Sequence, residues 1–296
     1  MSENTKTVTA SKSRKFKKSN QDLVKNYNRI ELKRAFSQKT MQLSIIIGML
    51  ISLWHFIQWP LLRYQPISRL DMGYPSYPLS AFEFCLSNDA ASLQQSLYFF
   101  LLPFLAALPY GGSLFADNIS GYSKNIYIRV EQRDMLWARH RAVFLSGAVA
   151  VALPLLLDFL LTGCALPLII PDVSTYRNSM KPGNMWGTLL FSYPMIYTLL
   201  YLMLDFVFGG LYALLAMYAG TVFSNRFAVL LTPLLFQLAA GYVAQLFSAP
   251  GWIPEQFLAM SQIYPTSFWK VGCIALMMVA IIWGLHERSC RNENIL

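Results

Sequence analysis

Charge is what this 296-residue sequence has least of: Asp, Glu, Lys and Arg together make up 13% of it, while 55% of the residues are hydrophobic. A soluble domain carries about a quarter charged residues, so no large soluble domain fits this composition. No GxxxxGK[ST] stretch occurs, so the chain lacks the usual loop for cradling ATP phosphates. The three histidines, His55, His140 and His286, lie far apart and none belongs to an HExxH pattern. GxSxG is also absent, as are paired acids of the kind intramembrane proteases use, so no catalytic or metal site is expected. The four cysteines, Cys85, Cys164, Cys273 and Cys290, form no CxxC pair and read as small buried or unreactive thiols. The first 40 residues hold no apolar core of the kind a signal peptide needs.

What the sequence does have is long apolar runs joined by short polar connectors, the pattern of an all-α integral membrane protein. Six runs stand at about 43–62, 93–115, 142–170, 189–222, 227–247 and 267–286, each near the ~20 residues that cross a hydrocarbon core. Pro103, Pro109, Pro154 and Pro194 fall in or near them, where neighbouring helices are expected to satisfy the freed carbonyls. Gly209, Gly210, Ala213, Ala216 and Gly220 form a small-residue cluster suited to close helix packing. The expected organisation is a disordered basic tail (1–20), an interfacial amphipathic helix (21–40), a six-span transmembrane domain (41–287) and a tail (288–296). In the interfacial helix, Leu23, Tyr27, Ile30 and Phe36 form the expected apolar face, flanked by Lys25, Arg29, Lys33 and Arg34.

With both ends on one side, 19 of the 24 Lys and Arg fall on that side: the eleven before residue 42, five between Lys124 and Arg141, then Arg226, Arg288 and Arg291. That asymmetry predicts cytoplasmic termini in a multi-pass cell-membrane protein.

The stretch 117–141, DNISGYSKNIYIRVEQRDMLWARHR, is a polar insert between the second and third runs. Ile119, Tyr122, Ile126 and Val130 recur at steps of three and four, which predicts a short amphipathic helix on the cytoplasmic surface. The insert resembles the first cytoplasmic loop of ABC type-2 permeases, the membrane subunits of many ABC exporters. The residues that carry the resemblance are Asp117, Gly121, Arg129 or Arg133, and Arg139. Asp stands where that family more often has Glu, and the family's frequent Pro before the Arg is missing. The preceding interfacial helix and the six runs extend the resemblance over nearly the whole chain.

The resemblance implies an exporter permease, not itself an enzyme, with ATP and Mg bound by a separate ATPase subunit. It implies a second permease copy or a related permease as partner, and short helices in the segment 248–266. Membrane lipid is the other partner expected, and no nucleic acid. Asp117, Ile119, Gly121, Tyr122, Ile126, Arg129 and Arg133 are then the ATPase-coupling candidates.

Two acids inside apolar runs, Asp158 in LPLLLDFLLTG and Asp205 in YLMLDFVFGG, stand apart. An ionisable group at membrane depth costs about 2–3 kcal/mol on insertion scales and faces a partner or water. Each reads either as an interhelical hydrogen bond or as a substrate or proton site. The second reading leads to an alternative function, a proton-coupled secondary transporter using Asp158 or Asp205. A third is a non-transporting immunity or assembly subunit.

Overall fold

The computed structural model describes residues 25–64, 79–121, 132–171 and 184–292. Among them the chain is helical, with no strand. Residues 25–36 form α1. The other helices are α2 (Lys39–Phe56, continuing as wider π turns through Ile57–Tyr64), α3 (Leu93–Ala107), α4 (Ser113–Ile119), α5 (Gln132–Ala165), α6 (Gly187–Ser192), α7 (Pro194–Ala219), α8 (Arg226–Leu246), α9 (Pro254–Leu258) and α10 (Phe268–Asn292). Five of these, α2, α5, α7, α8 and α10, are long and apolar enough to cross a membrane, and the chain is a multi-pass membrane protein.

The expected second run, 93–115, is not one continuous helix. Its 15-residue α3 ends at Ala107, a turn follows, and α4 restarts at Ser113. Pro109 cannot donate to the helix ladder. Gly111 fits the turn because a Cβ there would stand 2.5 Å from the Ala107 carbonyl oxygen and 2.9 Å from Ala216. The fourth run also breaks. Tyr193 precedes a proline, which disfavours helical backbone, and it adopts φ −139° and ψ 68° between α6 and α7. Beyond the last run, α10 continues through Asn292, past the tail boundary expected at 287.

Polar side chains from neighbouring helices meet the carbonyls that the prolines free. Pro103 leaves the Phe99 carbonyl without its i+4 donor, and Gln237 Nε2 of α8 donates to it at 3.0 Å. Pro109 does the same to Leu105, whose carbonyl accepts from Ser44 Oγ at 2.7 Å. Near Pro154, Tyr98 donates to the Val151 carbonyl at 2.6 Å and Ser52 to the Pro154 carbonyl at 2.9 Å.

The small-residue cluster sets the closest approach in the bundle. A Cβ on Gly147 of α5 would lie 2.4 Å from Ala213 Cβ and 2.8 Å from the Ala106 carbonyl, so α3, α5 and α7 meet there backbone to backbone. Of the cysteines, Cys85 is buried, while Cys164 and Cys273 are exposed. The segment 248–266 holds a 3-10 turn (Pro250–Trp252) and α9, whose Phe257 and Leu258 are fully buried.

The expected apolar face of α1 splits in two. Tyr27, Glu31 and Ala35 face inward, whereas Ile30 is 54% and Phe36 42% exposed. The polar contacts described next turn the helix this way. Residues 1–24, including Leu23 and the basic tail, lie outside the described residues.

Candidate functional site

Three groups of buried or half-buried polar residues stand out, each joining residues distant in sequence. The first lies at the end of the bundle that carries α1. Asp117, in the last turn of α4, receives a two-pronged contact from Arg34 of α1: Nη1 to Oδ2 at 2.8 Å and Nη2 to Oδ1 at 2.6 Å. Arg139 of α5 donates to the same Oδ2 at 2.6 Å. Glu31 of α1 stands 3.9 Å from Arg139 Nε and accepts from Tyr27 at 2.9 Å and Tyr110 at 2.8 Å. Glu31 and Arg139 are fully buried and Asp117 nearly so. The two acids and two arginines balance in charge, which lets them leave water together. The Asp117 carboxylate holds the Arg34 guanidinium above its usual range, and burial followed by Glu31 pushes the Tyr27 hydroxyl up.

This group binds α1 to both edges of the 117–141 insert. Asp117 is an ion-pair partner held in the last turn of α4. Of the other coupling candidates, Ile119 is 72% exposed and Gly121 holds φ +70°, a backbone region that favours glycine. A Cβ at Gly121 meets nothing within 4 Å, so a larger residue there strains the backbone and not a neighbour. Arg133 stands in the first turn of α5. Tyr122, Ile126 and Arg129, and with them the expected surface helix, lie outside the described residues. Glu31 and Tyr110 are site residues that sequence reasoning missed. The available signal was the i, i+3 placement of Glu31 and Arg34 on one helix.

The second group lies at the far end. Asp158 of α5 accepts from His55 of α2 (Nδ1 to Oδ1, 2.8 Å) and from the Leu86 backbone N–H (2.6 Å). His55 Nε2 stands 3.5 Å from Asp89, which accepts from Tyr64 at 3.0 Å. The imidazole is therefore set between two carboxylates, and Asp158 anchors the segment 79–92 to the bundle. This is the interhelical bond expected for one of the two membrane acids. Cys85, in the same segment, is inert because burial pushes its thiol up to about 12.

Asp205 makes no such bond. It is fully buried and neither carboxylate oxygen has a hydrogen-bond partner among the described residues. It lines a cavity of about 80 Å³ between α5 and α7.

The remaining histidines also meet. Tyr218 OH lies 3.0 Å from His140 Nδ1 and 2.8 Å from His286 Nδ1, beside a cavity of about 240 Å³ walled by Trp137 and Trp283. A hydroxyl donates once, so the two imidazoles cannot both be acceptors to Tyr218. No group of three His, Cys, Asp or Glu suited to a metal ion occurs among the described residues. No family model, curated protein or solved structure matches the chain.

Proposed function

We propose that the chain is the permease subunit of an ABC exporter, moving substrate out of the cell when a separate ATPase subunit hydrolyses ATP. The observation that carries this reading is the Glu31–Arg34–Asp117–Arg139 group, which makes α1 and the two ends of the 117–141 insert one mechanical unit. Force applied to that insert by a partner would pass directly into α1, α4 and α5. In this reading the α1 end is cytoplasmic, as the basic residues predict. Segment 93–119, with its central turn, serves as an interrupted sixth span. A second permease copy or a related permease completes the membrane part, and the coupling contacts belong to Ile119, Tyr122 and Ile126 with Arg129 and Arg133.

One observation favours the proton-coupled alternative: a buried carboxyl without a partner at Asp205 is a natural proton acceptor. The two readings differ at the insert, which only the exporter needs. The paired substitution Tyr122→Ala with Ile126→Ala is expected to leave membrane insertion unchanged. It should weaken co-purification with the ATPase, or uncouple hydrolysis from export in reconstituted vesicles. Each buried side chain would contribute about 1.5–3 kcal/mol to such an interface. Binding, hydrolysis and export at wild-type levels would remove the coupling role.

A further inference from the structure

The cavity at Asp205 has a shape that its hydrogen-bond inventory leaves unexplained. It is bounded by Phe159 and Leu160 of α5 and by Leu199 and Leu202 of α7, with Ser87 and Met260 at the far end. The two helices are in backbone contact one turn closer to the α1 end, where Gly209 meets Gly147 and Val151. Toward the other end a cavity opens between them, and among the residues that line it is Asp205. It lies eleven residues into α7 from Pro194, about 16 Å along the helix axis. The rim is open to the membrane side: Leu160 is 57% and Leu199 49% exposed, both on the apolar surface of the bundle.

A carboxylate at that depth must be matched by a positive charge or neutralised. Among the described residues nothing supplies the charge: the lining contains no Lys, Arg or His. A divalent metal is a poor match, because it needs several oxygen ligands and this cavity offers one carboxylate. Its two hydroxyls are already engaged, Thr198 donating to the Pro194 carbonyl and Ser87 accepting from the Met260 N–H. The lining is otherwise apolar and large enough for a small head group, with its mouth facing lipid.

We propose that this cavity is a binding site for a primary ammonium carried on an apolar body, which enters sideways from the bilayer and pairs its head with Asp205. The tail lies along the Leu160–Leu199 rim. Binding is a property of this chain alone; whether the bound amine is cargo rests on the exporter reading above. A free amphiphilic amine and the head group of an aminophospholipid share this chemistry.

The test uses the full chain in lipid nanodiscs with Leu199→Cys at the rim, in a background without the native cysteines. The readout is the rate of labelling by a membrane-permeant maleimide. Hexylammonium is expected to slow labelling at least fivefold and saturably, whereas hexanol, of the same length but neutral, leaves it within twofold. Adding Asp205→Asn should abolish the effect. Equal slowing by amine and alcohol, or undiminished slowing by the amine in the Asn chain, would overturn the proposal. The amine–alcohol comparison needs no change at residue 205, so it decides even if the Asn chain fails to fold. Slow labelling in phosphatidylethanolamine nanodiscs without added amine would make the lipid the source of the ammonium. Slowing only on hexylammonium addition would make it the free amine. No ATPase is present, so a failed coupling experiment leaves this result standing, and the reverse.

Discussion

Replacing Arg139 with leucine should lower stability by about 3–5 kcal/mol, the cost of leaving a buried acid without its countercharge. Arg139 is fully buried between Asp117 and Glu31. Asp117 keeps its two-pronged contact with Arg34, so the damage falls mainly on Glu31. Glu31 would retain the hydroxyls of Tyr27 and Tyr110 and Arg34 at 3.7 Å, but Glu31 and Asp117 would then share that single arginine. Removing the orphaned charge as well, in Arg139→Leu with Glu31→Gln, is therefore expected to recover part of the loss. Arg139→Lys should fall between, because an ammonium is a single point of charge and cannot span two acids as a guanidinium does. Thermal unfolding in detergent for the two single variants and the pair gives the coupling energy. Strict additivity would mean that the two residues do not interact as the distances imply.

The second large effect is expected at the opposite end. Asp158→Leu deprives both His55 Nδ1 and the Leu86 N–H of their acceptor within a fully buried setting. The loss should again reach about 3–5 kcal/mol, and segment 79–92 should become the first site of proteolysis. His55→Leu alone is milder, because Asp158 still accepts from Leu86. The double replacement His55→Leu with Asp158→Leu should be less harmful than the sum of the singles, since the apolar pair leaves only Asp89, still bonded by Tyr64, as a buried acid. Additive losses, or protection of 79–92 in the Asp158→Leu chain, would count against the anchor.

The two membrane acids show where sequence reading stops. LPLLLDFLLTG and YLMLDFVFGG are nearly equivalent as strings, each an aspartate followed by phenylalanine in an apolar run. Their fates differ because α2 places His55 against Asp158, 103 residues away, and no helix among the described residues brings a partner to Asp205. Helix packing decides such pairings, and single-chain periodicity does not carry it. The apolar runs were legible because membrane thickness sets a length that composition alone reveals. Their interruptions were less so: Pro109 with Gly111 and Gly112, and Pro194 after Tyr193, were present as signals but a continuous run masked them. On α1 the periodicity indicated an amphipathic helix but not that Glu31 would turn inward. Ile30 and Phe36 can remain outside where lipid is the solvent, while Glu31 must find Arg139 and the tyrosines. The insert's proposed role in coupling rests on residues whose partner is another chain, which one sequence does not carry.

In the proposed exporter a separate ATPase drives this chain through the 117–141 insert. Native mass spectrometry of the complex extracted from its own membrane in mild detergent tests this. Two permease chains, identical or related, with two ATPase chains are expected, with loss of the ATPase chains when Tyr122 and Ile126 are both alanine. A chain that emerges as a single species with no nucleotide-binding partner, from membranes in which it is active, would contradict it.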